Sequence, residues 1–377
     1  MGRRRNAPLR RRSISCGPLD HISTTGNFTT PIINRVPTQY PTTYPDGSER
    51  RVGLREFVVR RLVQLVFTFW AFFTLLFVLF RLVPGDPTSM FLLDGMTAEQ
   101  REQRIAELGL DQPLHIQYVN YIEQLLTGDF GQSFIYREPV IDIIVVRFMN
   151  TIVLMGTALF FAYLIGVTFG ALMGWWRGSR FERGGIIVTL VARSSPEFWV
   201  GIVLLSIFVF WLGWFPSSGM RTTGGELGGG FVQRYGSVDF LRHLFLPALT
   251  GAIVYLATPT LLMRSTMLDV LKADFVEIKK AEGLPEMTVL YKHAARNSVL
   301  PLVTVMAIAT GAAMGGSVVI ETVFNWPGMG REMVRAVNTN DYPIAMAAFF
   351  LMGSVVILMN FAADLAYVYL DPRVEYE

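Results

Sequence analysis

Residues 151–176, TIVLMGTALFFAYLIGVTFGALMGWW, carry no formal charge over 26 consecutive positions. A hydrocarbon core about 30 Å thick takes roughly 20 apolar helical residues to cross. Five further runs meet the same demand, at 62–80, 198–215, 244–263, 299–320 and 344–363, and each is free of acids and bases. A buried core helix can mimic one such run. Six in a chain of 377 residues require a bilayer. Composition agrees, with 51% hydrophobic residues, 17% charged residues and a mean hydropathy of +0.39. A soluble chain of this length would expose more charge. The fold class expected is an all-α polytopic membrane protein of about six transmembrane helices.

The same inventory excludes several kinds of chemistry. His21, His115, His243 and His293 lie far apart, and the single Cys16 rules out an internal disulfide framework and a cysteine metal cluster. No phosphate-binding G-x-x-x-x-G-K-[ST] loop is present. The glycine-rich run at 224–230 lacks the lysine and the flanking strand, and reads as a flexible loop. No catalytic residue, bound cofactor or metal ligand is assigned, and no nucleic-acid partner is expected.

Basic residues sort the loops into two sides. With the N-terminus cytoplasmic, most of the 33 Lys and Arg fall inside: before the first span, between Arg177 and Arg193, between Arg264 and Arg296, and at Arg373. Acids lean outward, crowding the first outside loop, 81–150, from Asp86 to Asp142. Both termini inside and six crossings are mutually consistent, which places the chain in the cell membrane as an N-in/C-in multi-pass protein. Within the outside loop, Thr97 precedes an amphipathic stretch that Gly109 can stop, and 113–126 reads as a second short helix closed by Gly128. Residues 1–54 are rich in Arg, Pro, Thr and Ser without apolar period, and are expected to be disordered. Arg10-Arg11-Arg12 is not followed by the apolar stretch of a targeting signal. The tail 1–51 is expected to be dispensable, with Val52 an alternative start.

The inside loop 264–300 is the most informative stretch. From Ser265 to Lys280 the pattern is helix-compatible, with Met267, Val270, Leu271, Phe275 and Ile278 on one apolar side. Ala281-Glu282-Gly283-Leu284-Pro285 then breaks the helix, through a glycine able to take positive φ and a proline that cannot continue. Glu286 to Arg296 is a second amphipathic stretch, and Pro301 opens the next span. Helix, tight turn, helix is one reading of a solvated or interfacial loop. The other is a small-residue knuckle that inserts into a groove of a partner.

At this point the motifs resemble a family. The alanine/glycine turn followed downstream by Leu300-Pro301 resembles the signature loop of ABC-importer permeases, and the oligopeptide/dipeptide branch above all. Val83-Pro84-Gly85-Asp86-Pro87, Leu108-Gly109-Leu110-Asp111-Gln112-Pro113 and Gly128-Asp129-Phe130-Gly131-Gln132-Ser133 are similar to that branch. So are Trp214-Phe215-Pro216-Ser217-Ser218-Gly219, the run 241–249, His293-Ala294-Ala295-Arg296-Asn297, the run 321–330 and Asp371-Pro372-Arg373. Together they cover 55–377 in order. Lys279 and Lys280 stand where the generic motif has alanines, and Gly283 and Pro301 are 18 residues apart, longer than the generic spacing.

The resemblance implies a permease domain over 55–377 that forms half of a translocation pore with a second homologous permease. It implies one or two ATP-binding subunits that hold ATP-Mg and perform the hydrolysis, and an extracytoplasmic substrate-binding protein. It places the ATPase-coupling loop at Asp274, Ala281, Glu282, Gly283, Leu284, His293, Arg296, Asn297 and Pro301, with 269–296 as the lever. Di- or oligopeptides are the implied cargo, with oligosaccharides, nickel or another small solute as alternatives. An ion-coupled secondary transporter is the rival of another class, and such proteins keep carboxylates near the midplane. Here Arg193 and Glu197 flank Pro196, Glu321 ends the fifth span and Asp364 the sixth, and all four are expected at interfaces.

Overall fold

The computed structural model describes residues 54–82, 97–107, 109, 111–222, 234–314 and 318–370. The N-terminal extension, Val83–Pro87, the glycine-rich run 224–230 and Asp371–Arg373 lie outside the described residues. Every regular element among the described residues is helical, and the one β pairing is an isolated bridge between Gln132 and Pro139.

In chain order the helices are α1 (Leu54–Leu82), α2 (Ala98–Glu107), α3 (Leu114–Thr127), α4 (Val140–Trp175) and α5 (Arg180–Ser194). Then come α6 (Glu197–Trp211), α7 (Val238–Tyr255), α8 (Ala257–Val270), α9 (Asp274–Ala281) and α10 (Glu286–Ser298). Last are α11 (Leu300–Met314), α12 (Val318–Val323), α13 (Met329–Asn338) and α14 (Tyr342–Leu370). Four helices are long and apolar enough to cross a membrane: within α1, α4, α7 and α14. The pairs α5–α6, bent by 102°, and α10–α11, bent by 55°, bring the number to six if each is one span.

Two expected spans are remodelled. The run 244–263 breaks at Leu256 because Pro259 has no N–H to offer the Tyr255 carbonyl. The ladder restarts one residue later, with Thr260 N–H donating to Leu256 O at 3.1 Å. The run 198–215 closes early in a wide π turn, Ser206–Trp211, and residues 212–222 are irregular. The two short helices expected within 81–150 are present, and α2 opens on a reciprocal cap. Thr97 N–H donates to Gln100 Oε1 at 3.0 Å, while Gln100 N–H donates to Thr97 Oγ1 at 3.4 Å.

The helix α4 is the axis of the bundle. It carries no charge from Thr151 to its end, and Leu154, Met155, Ala158 and Ala162 are fully buried. Its glycines at 166, 170 and 174 lie at helical spacing and face α8. A Cβ at Gly166 would stand 2.9 Å from Pro259, and one at Gly174 2.8 Å from Met267 Cβ. Small residues repeating every fourth position let two helices meet at backbone distance where lipid supplies no hydrophobic drive. By contrast α1 turns Val59, Val63, Val66 and Phe67 outward, as a bilayer-facing helix does.

Candidate functional site

The elbow between α8 and α11 begins where α8 ends. Lys272 N–H bonds Asp269 O and Ala273 N–H bonds Val270 O, which makes a turn of residues 271–273. The helix α9 then starts with Asp274 and Glu277 in its first turn and ends with Lys279 and Lys280, matching its dipole at both ends. The turn corrects the expected face. Phe275 and Ile278 do not join Met267, because three non-helical residues reset the phase. Val276 is fully buried instead, and Phe275 and Ile278 are exposed at 37% and 57%.

The break lies where expected. Glu282 N–H closes on Ile278 O at 2.9 Å, and Gly283 N–H on Lys280 O at 3.0 Å. Gly283 takes φ +77°, and a Cβ there would meet nothing within 4 Å, so the tip stands in open space. Pro285 caps α10, whose centre widens into π turns over Val289–Ala295. This side buries Val289, Leu290, Ala294 and Ala295 and leaves Met287 and Tyr291 outside.

Each residue named from sequence now has a place. Asp274, Ala281, Glu282 and Gly283 lie exposed on α9 and its tip, with Leu284 half-buried behind them. Arg296 and Asn297 are exposed on α10, His293 is half-buried, and Pro301 is exposed at the start of α11. Asn297 Nδ2 donates to His293 O at 2.8 Å. No hydrogen bond or ion pair joins the α9 group to the α10 group among the described residues. Phe275 and Ile278 on α9 and Met287 and Tyr291 on α10 are exposed.

Sequence reasoning missed the fastenings behind this edge. Lys279 Nζ bonds Glu282 at 2.8 Å, which stiffens the turn, and Lys280 Nζ lies 5.2 Å from the Trp175 ring centre at the end of α4. The two lysines that depart from the generic motif therefore both have local partners. Thr266 Oγ1 donates to Ser298 O at 3.0 Å, tying α8 to α10. Buried Glu182 accepts from Arg264 Nε at 2.8 Å and from Gly178 N–H at 2.6 Å, while Ser179 Oγ accepts from Glu182 N–H. The Ser179-x-x-Glu182 spacing is a capping-box signal that could have located it.

A second polar constellation lies at the other end of α4. Glu321 is fully buried inside the protein. Its Oε1 accepts from Thr151 Oγ1 at 2.6 Å and its Oε2 from Arg331 N–H at 2.8 Å. Thr151 Oγ1 in turn accepts from Met329 N–H. Gly328 precedes α13 without a side chain, so the carboxylate of another helix caps it. Asn150 binds Pro327 O, the Trp326 indole N–H donates to Asn150 O, and Tyr235 OH donates to Asn150 Oδ1. Nearby, burial and then the bond to Glu332 push the Tyr136 hydroxyl above the usual tyrosine range.

A family model described as "Binding-protein-dependent transport system inner membrane component" matches residues 166–376, and that family's N-terminal model matches 54–155. The oligopeptide transport system permease protein of Bacillus subtilis is 33% identical over 85% of this chain and 99% of its own length. The di/tripeptide transport system permease protein of Pseudomonas aeruginosa is 35% identical over the same shares. A peptide permease protein of Brucella suis, named as putative, is 39% identical over 80% and 93%. A solved methionine ABC transporter aligns at 17% identity and a TM-score of 0.47, covering 61% of this chain and 97% of its own.

Proposed function

This chain belongs to the family of binding-protein-dependent transport system inner membrane components, and on that premise we propose that its 264–300 elbow docks onto a separate ATP-hydrolysing subunit. As a permease subunit of the peptide branch of ABC importers, the chain supplies a path and not a reaction. The observation that carries the docking reading is the exposure of Phe275, Ile278, Met287 and Tyr291 on the two arms of the elbow, with open space at the Gly283 tip between the arms. Exposed apolar side chains on a charged loop, seated on fully buried Val276, Val289 and Leu290, fit a protein groove better than water.

In this reading a second permease completes the pore, ATP-Mg stays on two partner subunits, and a binding protein delivers cargo from outside. Closure of the partners pushes α9 and α10 together. The push passes from Leu290 and Ala294 to Met263 and Met267 on α8, all in one packed cluster with Ala171 of α4. The basic loops, this elbow included, lie in the cytoplasm with both termini. The cargo proposed is di- or oligopeptide, the class for which the Bacillus and Pseudomonas relatives are named.

A cysteine at Gly283 is expected to crosslink to the partner ATPase. Labelling of that cysteine by an impermeant reagent from outside the cell would overturn the topology. Ile278→Asp is expected to lower peptide uptake roughly thirtyfold, the effect of losing about 2 kcal/mol at an interface centre, with membrane insertion unchanged. Wild-type uptake with Ile278→Asp would remove the docking role. Uptake is also expected to stop with a hydrolysis-dead ATPase and to survive an uncoupler. The opposite pattern would favour an ion-coupled carrier.

A further inference from the structure

A cleft of about 330 Å³ opens between α1 and α14, lined by Arg61, Gln64, Leu65, Thr68 and, across from them, Ile357, Asn360, Phe361 and Asp364. Its lining changes in character along the two helices, starting from the end at Arg61 and Asp364. At the mouth Arg61 Nη1 and Asp364 Oδ2 pair at 2.9 Å, with side chains still 38% and 40% exposed. One helical turn deeper stand two amides, Gln64 and Asn360. Gln64 spends its oxygen on Arg61 at 3.4 Å, which leaves its amide hydrogens to the cleft. Asn360 has no side-chain hydrogen bond among the described residues. Leu65 and Phe361 are level with the amides, and about one turn further along lie Phe67, Ile357 and Thr68, whose hydroxyl donates to Gln64 O.

Free amide groups facing hydrocarbon are costly, because no water is there to bond them. The three tiers match one amphiphile. A glycerophospholipid carries a charged headgroup, then ester carbonyls that accept hydrogen bonds, then acyl chains. We propose that this cleft is a specific site for a phospholipid whose headgroup bears both a phosphate and a primary ammonium, as in phosphatidylethanolamine. The phosphate takes the remaining guanidinium hydrogens of Arg61, the ammonium donates to Asp364, and the ester carbonyls accept from Gln64 and Asn360. The existing ion pair keeps the mouth close to neutral, so it complements a zwitterion better than a net anion.

The full-length chain, purified in mild detergent, is offered equal amounts of phosphatidylethanolamine, phosphatidylglycerol and phosphatidylcholine with identical acyl chains. Retained lipid is counted by native mass spectrometry. Phosphatidylethanolamine is expected to exceed either competitor by roughly fivefold, a selectivity within reach of one charge-assisted hydrogen bond. Asp364→Asn is expected to reduce it to the level of phosphatidylcholine, whose methylated ammonium cannot donate. Asn360→Leu, which leaves the ion pair intact, is expected to weaken all three lipids without changing their order. Thermal midpoints of both variants are measured alongside, so that loss of fold is not read as loss of lipid. Equal retention of the three lipids, or preference for phosphatidylglycerol, would overturn the proposal. So would a cysteine at Asn360 that crosslinks to a second permease subunit while no lipid is retained.

Discussion

Gly170→Val is expected to prevent the chain from reaching a stable fold. A Cβ at this position overlaps the Thr260 carbonyl, which belongs to the backbone of α8 and cannot rotate away. Gly166 and Gly174 face α8 at similar closeness, so α4 and α8 cannot slide to make room. Overpacking one methyl in a dense core costs about 1–3 kcal/mol, and valine adds two more carbons to that wall. Gly170→Ala is therefore expected to lower the thermal midpoint clearly, and Gly170→Val to abolish the monodisperse peak in gel filtration. Gly156→Ala on the same helix is the control. Nothing lies within 4 Å of its Cβ, and it is expected to be neutral or slightly stabilising. A Gly170→Val protein with a normal midpoint would show that α4 and α8 do not meet in this way.

Glu321→Ala is expected to be the other severe change, at the opposite end of α4. It removes the acceptor of the Thr151 hydroxyl and of the Arg331 N–H where neither Thr151 nor Glu321 is exposed at all. Each buried donor left without an acceptor costs about 1–3 kcal/mol, so the sum is about 2–6 kcal/mol. Gly328→Ala attacks the same contact from the other side, since its Cβ would overlap the Glu321 carboxyl group. The two variants share one space, and the double variant is expected to lose less than the sum of the singles. Thermal unfolding of the four proteins completes the cycle. Strict additivity would mean that Glu321 does not sit against Gly328.

The spans were legible because a bilayer imposes a composition on every crossing segment, and 62–80 or 344–363 display it without reference to anything else. The knuckle at Ala281–Pro285 was legible because its glycine and proline act on their own backbone. The face of α9 was not. Leu271, Lys272 and Ala273 are acceptable helix residues, so nothing local announces the turn that rotates Phe275 and Ile278 outward. Tertiary packing made that decision, by burying Val276 and keeping Met267 under α10. The break at Leu256 had a local signal in Pro259, but it lay within an otherwise uninterrupted apolar run. Glu321 lies at the edge of such a run, and its partner Thr151 stands 170 positions earlier in the chain, where no local pattern points to it.

The sequence by itself determined a polytopic helical membrane protein, its motifs in family order and the tip of the elbow, because these follow from each segment's own hydropathy and backbone chemistry. Only the tertiary structure decided which elbow residues face outward, which glycines carry the contact of α4 with α8, and that a carboxylate from α12 caps α13. Each of these depends on atoms that meet across long stretches of chain, where no local pattern records the partner.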